Sequence, residues 1–583
     1  MTTEEIADIF ERIARLLELK GENPFKVRAY TNAARALETL SEDLGKLVEE
    51  GRLEEVDGIG KAIAEKITTL VRTGRLEYYD KLRGEFPPEI FQLFELQGLG
   101  AKKIKVLYDQ LGVGSLAKLE RALDSGEVAR LPGFGEKTAA NIRKAIEQHK
   151  KSAGQFRIGD VTALAESLLD DLRSHPHVTY AQIAGSYRRK KEIVRDLDFI
   201  VATRKPAEVS GDFAGHPLVE SVLARGDTKT SVILKSGIQC DLRVVTSAEY
   251  PFALNYFTGS KEHNVRMRSR ALERGWSLNE YRFSAAEGRK LREPLPEVHS
   301  EQDIYRALGL DYIEPELRED RGELTAAENH ELPALIEWQN LRGTFHNHTT
   351  ASDGRASLED MAAAAQELGM QYLGIADHSK SSFQANGLDE RRLLDQVARI
   401  RELNAGFEGF RLFAGVECDI RKDGSLDFSD EILGQLDYVV ASVHASFTLS
   451  EAEMTDRIIR AISNPHVTML GHLTGRLLLS REPYKVNVPA VIDAAAAETG
   501  TIIELNANPR RLDMDWRWWP LAKEKGVKCA INPDAHSTSG LQDLIFGINA
   551  ARKGWLTRHD VINTLPLGKI EKEIGKKRAK GGK

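Results

Sequence analysis

Residues Gly343–Gly354 read GTFHNHTTASDG. His346 and His348 are separated by one residue, and an aspartate, Asp353, follows five positions later. If the stretch enters as a strand, both imidazoles point to one side, because strand side chains repeat every second residue. That is half of a metal site. The missing partners stand at the ends of later apolar runs. YLGIADH stops at His378, RLFAGVE at Glu417, YVVASVH at His444, TMLGH at His472, and CAINPDAH at Asp534 and His536. Such runs are the pattern of parallel strands buried on both faces. In a β/α barrel the carboxyl ends of those strands gather at one mouth, so placement alone converges the ligands. Mixed imidazole and carboxylate donors suit Mn²⁺ or Zn²⁺. A cluster of this kind can activate water and polarise a phosphoryl oxygen. His466 and His559 do not sit at strand ends and are expected to be structural. Arg476 and Arg510 or Arg511 lie just past strand ends and could hold a substrate phosphate.

The whole chain bounds this reading. Its 583 residues suggest about four domains at ~150 residues each. Hydrophobic residues at 41% and charged residues at 29% are those of a soluble globular protein. The start MTTEEIADIFERI reads as an acidic amphipathic helix rather than a signal peptide. No run approaches the ~18 apolar residues of a membrane span. Cys240, Cys418 and Cys529 lie far apart, which argues against a disulfide framework and a cysteine zinc site. A reducing, cytoplasmic compartment is expected. The net charge of −7 does not by itself mark a nucleic-acid binder, although local patches can.

Residues 1 to about 150 carry helical periodicity without strand-like alternation. One pattern recurs: VDGIGKAIAEKI from Val56, LQGLGAKKIKVL from Leu96 and LPGFGEKTAANI from Leu131. Its glycines, Gly58 and Gly60, Gly98 and Gly100, Gly133 and Gly135, allow a tight turn before a helix start with unpaired N–H groups. Those amides suit a phosphate oxygen. No strand precedes them, so a dinucleotide fold is not supported. The repeats resemble the helix-hairpin-helix motif, which grips the DNA backbone without reading sequence.

From about residue 155 the texture becomes α plus β. YAQIAGS, DLDFIVAT, TSVILKS and QCDLRVVT read as strands, and VTALAESLLDDL as a helix. Asp196 and Asp198 alternate along one strand, so both carboxylates face one side, and a later strand supplies Asp241. Three such carboxylates make a hard-oxygen site for Mg²⁺. Two ions could clamp the attacking and leaving oxygens of a phosphoryl displacement. Upstream, Gly185 and Ser186 open a turn that could hold phosphate, with Arg189 to fork onto it.

The motifs GSYRR, RDLD, CDLR, YFTGS and NVRMRSRALERGWSLNEY resemble the X family of DNA polymerases, which includes DNA polymerase beta. The resemblance runs in order over residues 1 to about 317. It implies a nucleotidyltransferase palm in which Asp196, Asp198 and Asp241 carry catalytic Mg²⁺ or Mn²⁺, Asp241 also promoting loss of the primer 3′-hydroxyl proton. Ser186 and Arg189 match contacts to the incoming triphosphate. Tyr256, Phe257 and Gly259 match the wall that disfavours ribonucleotides. Asn264 matches a base contact, Arg268 a template-side contact, and Arg243 a residue that steers the aspartates. The amino-terminal part resembles the small lyase domain of that family, which binds a 5′-phosphate. There Lys66 matches a Schiff-base lysine, and Lys26 and Tyr30 fall near phosphate-binding places.

The carboxyl half is similar to the PHP domain (polymerase and histidinol phosphatase), a distorted β/α barrel with three metal ions. Its ligand positions are all filled here: His346, His348, Asp353, His378, Glu417, His444, His472, Asp534 and His536. Asp353 joins the ligands on that resemblance alone.

The expected organisation is a multidomain chain. A lyase-like helical domain spans 1–85 and a fingers-type helix-hairpin-helix domain 86–153. An α+β palm spans 154–250 and a thumb 251–317. A linker (318–342), a PHP barrel (343–570) and a basic, unstructured tail (571–583) follow. The expected function is filling of short gaps in DNA repair by a monomer, using deoxynucleoside triphosphates on gapped or nicked DNA with a 5′-phosphate. A 3′–5′ exonuclease and abasic-site cleavage would reside in the PHP domain, and no membrane is involved. The alternatives are a DNA-end-binding scaffold with minor catalysis, or a PHP small-molecule phosphatase with an inactive palm.

Overall fold

The computed structural model describes the chain except residues 2, 39, 41–43, 57, 97, 288–290, 292, 582 and 583. The chain divides into two units, Met1–Ala153 and Gly154–Lys583.

The first unit is helical. The opening helix, Thr3–Lys20, buries Ile6, Phe10, Ile13 and Leu17, a stripe at helical spacing. Gly58 and Gly98 take positive φ, 87° and 78°. Gly60 and Gly100 are the extended N-caps of the helices Lys61–Thr73 and Ala101–Leu111, and neither cap supplies a side-chain acceptor. The first amides of both helices therefore stay open to an anion. The third copy differs. Gly133 and Gly135 both have positive φ, 83° and 59°, and the helix begins at Gly135 itself.

The second unit starts with a five-stranded sheet. Its strands are β1 (Val178–Ile183), β2 (Asp196–Thr203), β3 (Val219–Arg225), β4 (Lys229–Leu234) and β5 (Gln239–Val245), in the order β1-β2-β5-β4-β3. Only the central β2–β5 pair is parallel. The sequence reading missed β3, an edge strand that is exposed almost throughout and so shows no apolar alternation. The helix Ile158–Ser174 covers one face.

The segment expected to be a linker, 318–342, is packed. Arg318 is fully buried, and Glu323 with it. Arg318 Nη1 donates to Glu301 at 2.5 Å, and its Nε donates to the Ile313 carbonyl at 2.9 Å. Arg188 donates to the same carboxylate at 2.8 Å. Polarity misled the reading here, because buried ion pairs look like solvated charge in a sequence. Burial would push the Glu301 carboxyl up, but Arg318 and then Arg188 outweigh it and hold it at about 2, against an ordinary 4.5. A carboxylate held down in the fold adds stability that is full above pH 4.5 and is lost as pH falls towards 2. Glu301→Gln is expected to cost ~3 kcal/mol at neutral pH, since it strands two arginines. It should also flatten the acid decline of the melting temperature. A variant that keeps the wild-type acid slope would rule this ion cluster out as its source.

The remainder is a ring of parallel strands with helices outside. The first three, β6 (Gly343–Asn347), β7 (Tyr372–Ile375) and β8 (Arg411–Ala414), form one sheet. A second sheet runs in sequence order through β9 (Glu417–Asp419), β10 (Val440–Ser442), β11 (Met469–Leu470), β12 (Ile502–Asn506) and β13 (Cys529–Asn532). Single bridges join them at both seams, His378 to Glu417 and Asn347 to Ala535. The strands are buried on both faces, as the apolar runs require. Phe345, Tyr372, Phe413 and Tyr438 fill the interior, with Phe345 and Tyr438 edge to face at 5.0 Å. Gly374 and Gly415 make room for them: a Cβ on Gly415 would stand 2.4 Å from the Tyr438 ring. The basic tail is not unstructured to its end. A helix runs Leu567–Gly581, because Ile570 and Ile574, one turn apart, dock under the barrel. Residues 582 and 583 lie outside the described residues.

Two candidate metal centres

Strand register assembles the first centre. β2 and β5 place Asp198 directly opposite Asp241 and Asp196 opposite Gln239. Alternation then puts Asp196, Asp198 and Asp241 on one face. Burial, followed by the charges of Asp196 and Asp241, pushes the Asp198 carboxyl up to about 7. Burial and Asp241 raise Asp196 as well. Asp241 is lowered, because Lys229, Ser231 and Gln239 together overcome its burial. Lys229 Nζ lies 2.6 Å from it, a partner that the sequence reading missed. Two of three clustered carboxylates are thus short of positive charge, which a divalent cation would relieve.

Gly185, at φ 63°, sits so close that a Cβ would stand 2.4 Å from Asp198 Oδ2. Ser186 follows on the single turn Gly185–Arg188. Arg189 Nε lies 3.1 Å from Glu319, and its guanidinium also donates to the Thr258 carbonyl. A Cβ on Gly259 would approach that guanidinium to 3.0 Å. Asn264 Nδ2 donates to the Tyr256 carbonyl at 2.7 Å. Tyr256 and Phe257 meet edge to face, and Arg243 stacks 4.1 Å from Phe257. Arg268 is exposed on the helix Lys261–Glu273. In the helical unit, Lys66 Nζ donates to the Ala62 carbonyl. Lys66 and Lys26 lie 5.6 and 5.7 Å from one ring, that of Tyr78. Tyr30 stacks on Tyr78 but is buried, so it is a core residue rather than an open phosphate contact.

The second centre forms at the carboxyl ends of β6 to β13. All the ligands expected there meet in four overlapping groups. These are His348, Asp353, His378 and His536; His346, His472 and Asp534; His346, His348 and Glu417; and His378, Glu417 and His444. Glu417 is central: its oxygens lie 2.8–3.2 Å from His346, His378, His444 and His472. Asp353 Oδ1 lies 3.4 Å from His536 and 3.6 Å from His378. His346 and Asp534 hold positive φ, 56° and 54°, at the strand ends, strain of a kind that clusters at functional sites. His346 Nε2, His348 Nδ1, His378 Nδ1, Glu417 Oε2 and His472 Nδ1 are buried without a hydrogen-bond partner. An unsatisfied buried polar atom costs ~1–3 kcal/mol. Cations bound among them would satisfy these atoms, and the donor set fits such cations. Among the described residues, His466 and His559 are in none of these groups.

Comparison with known proteins decides the family. Over 574 residues, 98% of this chain and 99% of the relative, the sequence is 40% identical to the DNA polymerase/3'-5' exonuclease PolX of Bacillus subtilis. The chain belongs to the bacterial PolX group of family X DNA polymerases. Family profiles place a helix-hairpin-helix domain at 1–76, a SAM-like helix-hairpin-helix tandem at 91–148, a DNA polymerase beta thumb at 253–319 and a PHP domain at 344–508. DNA polymerase lambda of Rattus norvegicus is 25% identical over 342 residues, covering 54% of this chain and 56% of that protein. A probable phosphatase of Thermoanaerobacter sp. is 29% identical over 248 residues, covering 41% of this chain and 96% of that protein.

Two parts of the PHP domain depart from what the sequence predicts. Arg476 does not hold substrate phosphate. It is buried, and Asp515, Glu192 and the carbonyls of Arg511 and Leu512 take up its donors. Of its neighbours, Arg510 is exposed, whereas Arg511 Nε lies 3.4 Å from the candidate ligand Asp534. The other departure is β12, missed because TIIELNAN contains no histidine. Its Glu504 is fully buried and accepts from His346 Nδ1 at 2.5 Å, from the His472 N–H at 3.0 Å, and from the Asn506 and Asn532 amides at 2.9 Å. That contact turns His346 Nε2 towards the cluster, and Asp419 does the same for His444 through its Nδ1. Glu504→Gln is expected to weaken metal binding ~10–100-fold. Titration of the purified protein with Mn²⁺ or Zn²⁺ measures it, and unchanged affinity would rule out this orienting role.

Proposed function

We propose that this chain is a gap-filling repair polymerase with a 3′–5′ exonuclease in the same polypeptide. The observation that carries the reading is the coexistence of two candidate ligand sets, the Asp196–Asp198–Asp241 face and the nine-residue cluster, in a chain aligned with PolX over nearly its whole length. Asp196, Asp198 and Asp241 would hold Mg²⁺ or Mn²⁺. His346, His348, Asp353, His378, Glu417, His444, His472, Asp534 and His536 would hold Mn²⁺ or Zn²⁺, three ions by family likeness. When bound, such ions lower the charge barrier to attack on a phosphorus centre and activate water.

The protein's own groups orient the reactants. Ser186 and Arg189 receive the triphosphate, and Asp241 accepts the proton of the primer 3′-hydroxyl. Tyr256, Phe257 and Gly259 line the sugar, Asn264 faces the base, and Arg268 faces the template. The turns at Gly58–Gly60, Gly98–Gly100 and Gly133–Gly135 hold DNA backbone through open amides. Lys26 and Lys66 beside Tyr78 form the candidate 5′-phosphate site, with Lys66 the candidate lyase nucleophile. Arg511, beside Asp534, is the candidate phosphate contact of the nuclease. Likeness to a probable phosphatase keeps small phosphoesters as a second substrate class for the PHP domain.

The test is a labelled primer on gapped DNA with Mg²⁺ or Mn²⁺. Extension with deoxynucleoside triphosphates and shortening from the 3′ end without them are expected. Hydrolysis of small phosphoesters with no action on DNA would overturn the reading.

A further inference from the structure

The turn that carries Gly185, Ser186 and Arg189 is held from behind by the PHP domain. Lys553 closes the helix Leu544–Lys553 that packs on the barrel, and its side chain is fully buried. Its Nζ donates to the Arg189 carbonyl at 3.0 Å, to the Glu316 carbonyl at 3.2 Å and to Glu319 Oε1 at 2.6 Å. Every proton of the ammonium is therefore spent on the polymerase side. The Trp516 ring lies 4.7 Å away. Burial pushes the lysine down to about 8, with Glu319 opposing. A lysine buried this deeply is costly unless its partners stay in place.

The same Glu319 lies 3.1 Å from Arg189 Nε. A second cation, Arg476, spans from Asp515 to Glu192, at the far end of the turn. The surfaces between are interlocked. Leu478 and Leu512 belong to the apolar core of the five-stranded sheet, and a Cβ on Gly159 would stand 2.4 Å from Pro509.

We propose that the PHP domain is a structural member of the polymerase site: Lys553, seconded by Arg476, positions the nucleotide-binding turn and, through Glu319, aims the Arg189 guanidinium. Both cations lie outside the metal-binding groups. The frame, not the metals, does this work. The inference rests on Arg189 as a triphosphate contact, and Lys553 and Arg476 are positioning residues.

The experiment uses the full-length protein filling a single-nucleotide gap, with KM for the nucleotide and kcat measured separately and nuclease rate on a single-stranded 3′ end measured alongside. Lys553→Met is expected to raise KM about tenfold with little change in kcat, within the ~100-fold that a 1 Å misplacement can cost. Nuclease rate should stay at the wild-type level. Lys553→Met combined with Arg189→Ala should lose less than the sum of the two single variants, because coupled residues are not additive. An unchanged KM in Lys553→Met, or additive losses in the double variant, would overturn the proposal. If Lys553→Met lowers both activities together with the melting temperature, Glu319→Gln decides: it must raise KM in the same way, and a wild-type KM there overturns the idea. If Arg189→Ala itself leaves KM unchanged, the assignment of the triphosphate contact fails instead.

Discussion

Asp198→Asn is expected to reduce gap filling by at least ~100-fold, because the cation it would hold stabilises the charge that develops in the transition state, while 3′ shortening continues. Asp198 is the residue through which the first centre is built. It faces Asp241 across the parallel pair and touches the Gly185 turn. Burial and two neighbouring carboxylates burden its charge. The amide keeps the shape and removes one negative charge from a crowded face. The variant should therefore melt no lower than wild type, and lost activity cannot be laid to unfolding. Primer extension with Mg²⁺, read beside a thermal melt, measures both. Wild-type extension by the variant would mean that the carboxylate face has been misassigned.

Glu417→Gln is expected to remove the nuclease by more than the ~10–100-fold that outer partners of a metal site cost, since Glu417 is a candidate ligand that lies against several histidines. Its oxygens reach His346, His378, His444 and His472 within 3.2 Å. An amide there lacks the charge and turns N–H groups towards the cations. Metal content per chain should fall with the nuclease rate. Extension across a gap should continue, because no residue of the five-stranded sheet takes part in the cluster. Loss of both activities together would argue against two separate centres.

Much of the fold and of both centres is legible in the order of residues. Strand ends marked by His378, His444 and His472 stand out because a buried parallel strand must be apolar until it reaches its mouth. Asp196 and Asp198 are readable because alternation puts them on one side. Other residues are hidden for physical reasons. Glu504 looks like an ordinary acid at the end of an apolar run, and nothing local shows that an imidazole far away in the chain needs its charge. Arg476 has the position of a phosphate ligand, but its donors are consumed by Asp515 and Glu192. Arg318 and Glu323 read as a polar tether because pairing, not composition, makes charge burial tolerable. The tail's Ile570 and Ile574 form too short a stripe to outweigh its lysines, until a surface is there to receive them.

The amino-acid sequence by itself determined the classes of element, the two candidate sets of hard and mixed ligands, and the family. Those follow from period, residue chemistry and motif order, which are properties of short segments. Tertiary structure alone decided that Asp198 faces Asp241, that Asp353 closes the second cluster, that Glu504 orients His346, and that Lys553 reaches the turn at Gly185. Each of these depends on which distant segments pack together. Pairing there is set by burial and register, which the order of residues does not display.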